Sequence, residues 1–208
     1  MSALNLQNAN KIIAVYGGIG SGKSVVCRIL RILGFPVYDC DAEARMIMDV
    51  DAEIKCAIKD TICAEAVAED GTINRKKLGE KVFGDAEALE RLNRLVHGKV
   101  VDDILLRSAQ HPVLFVETAL LYQSGIDRIC HSVWEVVAPQ EIRIERVMRR
   151  NNMTYDDVMA RIVAQDSFVP EKLHSNCRMI INDGCESVLA QLINNESEII
   201  GIHPWSEL

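Results

Sequence analysis

The chain has no run of about 18 consecutive apolar residues, so nothing in it reads as a transmembrane helix. It also lacks an excess of basic residues. Formal charge is −7, which removes the overall positive surface that draws a protein to nucleic acid or an anionic bilayer. The first residues, MSALNLQNANK, are without the basic start and apolar core of a secretory signal. Seven cysteines occur, an odd number, and no two stand in C-x-x-C spacing; reduced, mostly buried thiols are expected rather than a disulfide framework. Five histidines form no H-x-x-x-H or Cys/His group, which argues against a structural zinc. A cytoplasmic location is the expectation. With 208 residues and about half of them apolar, the chain has enough length and core for one α/β domain with a smaller insertion.

What is present begins with strands. Apolar runs at Ile12–Tyr16, Pro36–Tyr38, Val113–Val116, Val133–Val137 and Arg178–Ile181 alternate with helical patterns at Ser24–Leu33, Asp41–Met48, Glu87–Arg107, Gln140–Arg150, Tyr155–Gln165 and Glu186–Asn194. Nearly continuous apolar strands separated by helices predict a parallel sheet covered on both faces. Residues 51–106 differ, being charged and almost wholly helical with a turn at Glu69–Thr72, and read as an insertion beside the sheet. Thr154 is placed to cap the helix that follows it.

The first strand runs into Gly17-Gly18-Ile19-Gly20-Ser21-Gly22-Lys23-Ser24, a G-x-x-x-x-G-K-S/T pattern followed by a helix. Glycines let the backbone turn and leave no Cβ to obstruct a polyphosphate. The loop amides and the positive end of the next helix then hold the anion. Lys23 suits the β- and γ-phosphates, and the Ser24 hydroxyl suits Mg²⁺. The pattern names a nucleotide, not a reaction. A guanine-reading N-K-x-D is absent, and a motor or translocase would need more chain. A small-molecule kinase needs an acceptor for a hydroxyl proton, cations around the moving phosphoryl group, and a cover against water.

For the first need, Asp39 and Asp41 in VYDCDAEAR follow the second strand, and an extended chain would turn both to one face. A general base with a supporting neighbour and a simple helix cap are both open from the spacing. For the second, Arg143, Arg146 and Arg150 stand at i, i+3 and i+7 along one helical face, either a stripe over the phosphates or a solvated face. Arg149 is expected to pair with Glu145, four residues earlier. Glu117 ends an apolar strand, as a water-mediated metal acceptor or a structural carboxylate.

Taken together, GGIGSGKS, the D-x-D-x-x-A-R of Asp39 to Arg45, GTINRKKLGEKVFGD, LNRLVH, ETALLYQSGID, the stretch APQEIRIERVMRRNNMTYDDVMARIVAQ and IINDG resemble the dephospho-coenzyme A kinases through most of the chain. The resemblance implies a P-loop kinase-like three-layer α/β fold with a parallel sheet core. Its parts are a nucleotide-binding core over 1–50 and 107–208, a helical lid at about 143–165, and a helical acceptor insertion over 51–106. It implies transfer of the ATP γ-phosphoryl group to the ribose 3′-hydroxyl of dephospho-coenzyme A, with Mg²⁺, in the last step of coenzyme A synthesis. Another small-molecule kinase, such as a nucleoside monophosphate kinase, and a non-catalytic nucleotide-binding module are the alternatives.

The residues implied for catalysis are Asp41, Lys23 and Arg146. For the nucleotide they are Gly18, Ile19, Gly20, Ser21, Gly22, Lys23, Ser24, Val25, Arg146, Arg150 and Asn182, with Ser24 on the metal. For the acceptor they are Asp39, Asp41, Arg75 and His97, where Arg75 is otherwise a solvated helix-start charge and His97 a packed helix-end residue. Asn182 either meets the adenine edge or shapes its turn, and Gln165 matches a glutamine that closes the family's lid helix or is an ordinary helix-end residue. A small-molecule substrate, no nucleic acid and no membrane complete the expected partners, for a monomer or weak homo-oligomer whose lid closes on binding.

Five positions depart from the family pattern. Val25 removes a hydroxyl near the α-phosphate, and Tyr16 threatens to crowd the loop. Ala119 and Gln123 replace a proline and a glutamate, and Gly98 stands where proline stiffens a turn after His97.

Overall fold

A computed structural model describes residues 10–194; the unassigned tail ESEIIGIHPWSEL and most of the N-terminal stretch read against a signal peptide lie outside them. The chain divides into two compact units. One comprises residues 1–38 and 107–208, the other residues 39–106.

The first unit is built on a five-stranded sheet of order β2-β3-β1-β4-β5, with β1 Lys11–Tyr16, β2 Val37–Asp39, β3 Val113–Thr118, β4 Ser132–Val137 and β5 Cys177–Ile181. The pairs β1–β3, β1–β4 and β4–β5 are parallel. Four consecutive residues of β1, Ile12 to Val15, are buried, which explains the unbroken apolar run: a central parallel strand has no solvent face. Helix α1, Lys23–Ile32, lays Val26, Cys27 and Leu30 against Ile13, Val15, Phe115, Trp134 and Ile180. Each such side chain contributes about 1.5–3 kcal/mol when taken fully from water. Three aromatic rings meet here, with Phe115 5.4 Å from Phe35 and 5.1 Å from Trp134 between ring centres.

After β4 come two helices, α6 Gln140–Asn151 and α7 Tyr155–Asp166. They pack through Ile144, Val147, Val158 and Ile162. Asn152 turns the chain between them at φ 53°, and the Thr154 hydroxyl accepts from Asp157 N–H at 3.2 Å, capping α7 as its sequence position indicates. Helix α8, Val188–Asn194, follows β5.

The second unit is helical: α2 Cys40–Val50, α3 Ala52–Thr61, α4 Arg75–Phe83 and α5 Ala86–Ser108, whose last two residues belong to the first unit. Its core gathers Ile54, Ile58, Ala66, Leu78, Val82 and Ala88, with Ile47 and Met48 packed on it. Because those two residues come from α2, the unit opens at Asp39 rather than at Asp51. The Glu69–Thr72 turn is the tip of a small hairpin, bridged at Val67 and Ile73. Helix α5 runs unbroken through His97 and Gly98, as the helical pattern over Glu87–Arg107 predicts, so the family's proline turn after His97 is absent here.

Among the described residues, no helix is long and apolar enough to cross a membrane, and all seven cysteines are free.

Candidate active site

The order of the sheet puts β1 between β3 and β4, and the glycine-rich loop leaves its carboxyl end. In open α/β sheets that end, where strand order reverses, is where ligands bind. Gly20 and Gly22 take φ values of +79° and +99°, left-handed conformations that other residues rarely adopt. Gly22 also caps α1. The first turn of α1 holds no acidic residue, so the positive end of the helix is not neutralised from within. Ser24 and Val25 are exposed there. Lys23 Nζ donates to Gly17 O at 2.7 Å and to Gly18 O at 3.4 Å.

Asn182 stands at the end of β5 and is 9% exposed. Its Nδ2 donates to Ser21 O at 2.8 Å, and its Oδ1 faces Arg146 Nη2 at 3.4 Å. Arg146 Nη1 reaches the same Ser21 oxygen at 3.5 Å. The side-chain amide of Asn182 is therefore engaged with the phosphate loop. Gln191 of α8 steadies the strand beneath it, accepting from Ile181 N–H at 2.8 Å and donating to Ile181 O at 2.7 Å.

The three stripe arginines have different surroundings. Arg143 Nε donates to Ile19 O at 3.0 Å, Arg146 sits against Ser21 and Asn182, and Arg150 Nε donates to its neighbour Asn151 at 2.7 Å. The pair expected between Glu145 and Arg149 does not form: both are exposed, and the i,i+4 ion pairs among the described residues lie elsewhere. Gln165 Oε1 accepts from Ile19 N–H at 2.8 Å.

Beside the loop lies a cavity of about 150 Å³ lined by Tyr16, Ser21, Gln123, Glu135, Arg143 and Gln165, among others. Ser21 Oγ, Gln123 Oε1 and Arg143 Nη2 are buried there without a hydrogen-bond partner. Unpartnered buried polar atoms are rare and mark a place for water or a polar ligand. Tyr16 lines this cavity together with Gly18 of the loop. Its ring turns edge-on to Tyr122 at 5.6 Å, and burial, reinforced by Glu135, pushes its phenol above the usual value.

Glu117 lies against α1, 4.0 Å from Arg31, and its carboxylate helps burial raise the Cys27 thiol far above the ordinary range. No group of three or more His, Cys, Asp or Glu side chains suited to a metal exists among the described residues. The oxygen donors fit Mg²⁺ only as it is held in nucleotide kinases, by one hydroxyl with phosphates and waters.

Strand β2 ends at Asp39, where the helical unit begins, and the chain enters α2 at Cys40. The alternation expected to align Asp39 with Asp41 therefore fails. Asp39 is the helix cap, its Oδ1 accepting from Asp41 N–H and Ala42 N–H at 3.1 Å each. Asp41 is exposed in the first turn, with its backbone fixed by that cap. Arg75 makes a two-pronged pair with Asp49, at 3.1 and 2.9 Å, and a third bond to Arg45 O at 3.1 Å. His97 is half-buried in α5, and burial lowers its pKa.

A family model described as dephospho-CoA kinase matches residues 11–187. The chain belongs to the dephospho-CoA kinase family. A dephospho-CoA kinase from Dehalococcoides mccartyi is 33% identical over 192 residues, covering 87% of this chain and 96% of that one. The enzyme of the same name from Salinibacter ruber is 38% identical over 178 residues, covering 83% and 88%. The structure of a dephospho-CoA kinase from Campylobacter jejuni superposes with a TM-score of 0.61 at 26% identity, covering 90% of this chain and 97% of that one. As a family member the chain is a nucleotide-binding kinase.

Proposed function

We propose that the chain transfers the γ-phosphoryl group of ATP to the ribose 3′-hydroxyl of dephospho-coenzyme A, giving coenzyme A and ADP. The match to the dephospho-CoA kinase family across residues 11–187 carries this reading. The phosphate loop supplies its physical means.

Residues Gly18 to Val25 form the cradle for the polyphosphate, chiefly with the amides of Gly20, Gly22 and Ser24, because Ile19, Ser21 and Val25 donate theirs to Gln165 Oε1, Gly18 O and Gly22 O. Lys23 exchanges the Gly17 and Gly18 carbonyls, which it now meets at 2.7 and 3.4 Å, for phosphate oxygens of higher charge. Ser24 would offer a hydroxyl ligand to Mg²⁺, which would supply positive charge against that of the phosphates. Arg146 neutralises charge on the moving phosphoryl group, and Arg150 assists from the exposed end of α6.

Asn182 acts on the nucleotide through the loop. A trans peptide points its C=O and the following N–H in opposite directions. Fixing Ser21 O against Asn182 Nδ2 therefore turns Gly22 N–H the other way, into the cradle.

Asp41 receives or orients the proton of the acceptor hydroxyl, and Asp39 holds its backbone in place through the α2 cap. Arg75 and His97 contribute to acceptor binding within the helical unit, residues 39–106, which serves as the acceptor domain. The α6–α7 hairpin acts as a lid that excludes water on closure. The enzyme works in the cytoplasm on small molecules, as a monomer or weak homo-oligomer.

ADP release measured across dephospho-coenzyme A, nucleoside monophosphates and sugars tests the assignment. A strong response to dephospho-coenzyme A alone is expected; a response to a monophosphate with none to dephospho-coenzyme A would overturn it.

A further inference from the structure

Ile19, at the apex of the phosphate loop, is held on all sides by the helical hairpin that follows β4. Its N–H donates to Gln165 Oε1 on α7 at 2.8 Å. Its C=O accepts from Arg143 Nε on α6 at 3.0 Å. Its side chain packs on the cluster of Ile144, Val147, Val158 and Ile162 that joins the two helices. The neighbouring backbone is in close contact too. A Cβ at Gly20 would lie 2.5 Å from Arg143 O, a main-chain atom with no rotamer to yield, and one at Gly18 would lie 2.3 Å from Arg143 Nη2.

We propose that Gln165 and Arg143 are positioning residues that set the phosphate loop from outside, so that the donor cradle is shaped by the hairpin. The peptide geometry supplies the mechanism. With Ile19 C=O fixed outward on Arg143, Gly20 N–H must face the opposite way, toward a bound phosphate. Gln165 fixes the preceding peptide by its N–H. This leaves Gly18 O directed toward the loop interior, where it accepts from Ser21 N–H at 3.1 Å. The hairpin is thus more than a cover. Its base is part of the loop's own framework, and any movement of its outer end pivots about Ile19.

The proposal rests on the loop being the donor site, and the experiment separates the two claims. Tripolyphosphate, which has neither base nor acceptor, is titrated into the wild type and into Gln165→Met, which keeps the bulk of the side chain and removes its oxygen acceptor. Wild type that fails to bind tripolyphosphate would overturn the donor-site reading itself.

With wild-type binding in hand, Gln165→Met should weaken tripolyphosphate about three- to tenfold, the factor carried by one neutral hydrogen bond. The KM for ATP should rise in parallel, while the KM for the acceptor stays within about twofold. Equal tripolyphosphate affinity in the two proteins would overturn the positioning role, whatever happens to stability. Should the variant fail to fold, amide exchange of wild-type Ile19 decides the matter. Slow exchange of its N–H, like that of a helix interior, is expected; exchange at the rate of an open loop amide would overturn the proposal.

Discussion

Replacing Asn182 by alanine removes the one short hydrogen bond to Ser21 O, and the consequence can be worked from the geometry. Ser21 is 1% exposed, so water does not readily replace the lost donor. Arg146 Nη1 stands 3.5 Å from the same oxygen, too far to restore a good bond without moving. A buried carbonyl left unsatisfied costs about 1–3 kcal/mol. At about 2–4 °C per kcal/mol for a chain of this length, the thermal midpoint should fall by roughly 2–12 °C. The same change frees the Ser21–Gly22 peptide to rotate, so that Gly22 N–H no longer points reliably at a phosphate. One such bond corresponds to about a three- to tenfold rise in the dissociation constant.

Calorimetric titration with ATP, GTP and tripolyphosphate distinguishes this from base recognition. A brace acting through the loop weakens all three by similar factors. A residue reading adenine would weaken ATP alone and leave tripolyphosphate unchanged, and that pattern would refute the reasoning.

Gly98 lies inside α5, where an added Cβ meets nothing within 4 Å. Gly98→Ala should therefore stabilise the chain by about 0.5–1 kcal/mol, raising the midpoint by about 1–4 °C; a lower midpoint would mean the helix is not continuous there. Burial pushes the Cys130 thiol up to about 12 and Cys27 higher still, whereas Cys185 is exposed. Limited labelling with a thiol reagent at pH 8, mapped by mass, should modify Cys185 while leaving Cys27 and Cys130 intact; equally rapid modification of Cys130 would contradict the packing described. Burial lowers the pKa of His97 below its unfolded value of about 6.5. Its contribution to stability is thus present above pH 6.5 and is lost as pH falls through the lower folded value. Melting curves of His97→Gln should lose less stability than wild type between pH 7 and pH 5, and parallel profiles would count against this.

How much of this was readable beforehand depended on how local each signal is. The strands announced themselves because parallel strands with both faces covered must be apolar at every position, as Ile12 to Val15 are. The phosphate loop was legible because its glycines and Lys23 are consecutive. The shared face of Asp39 and Asp41 was misread because alternation applies only while the strand lasts, and capping by Asp39 ends it. The helical pattern over Glu87–Arg107 was legible despite Gly98, since one glycine costs a long helix only about 1 kcal/mol and α5 passes through it. The pairing of Glu145 with Arg149 followed from spacing, but exposed i,i+4 pairs gain too little to form reliably. The clamp on Ile19 left no trace in any motif. Its partners lie 124 and 146 residues away, and only the packing of α6 and α7 brings them to the loop.

The central claim is that backbone amides hold the donor while Asp41 readies the acceptor hydroxyl. Single-turnover formation of the 3′-phosphate, with both ligands saturating, tests it in Asp41→Asn against the wild type. The account predicts a rate at least about 10²-fold lower, with ATP affinity within about threefold of normal. A wild-type rate in that variant would contradict it.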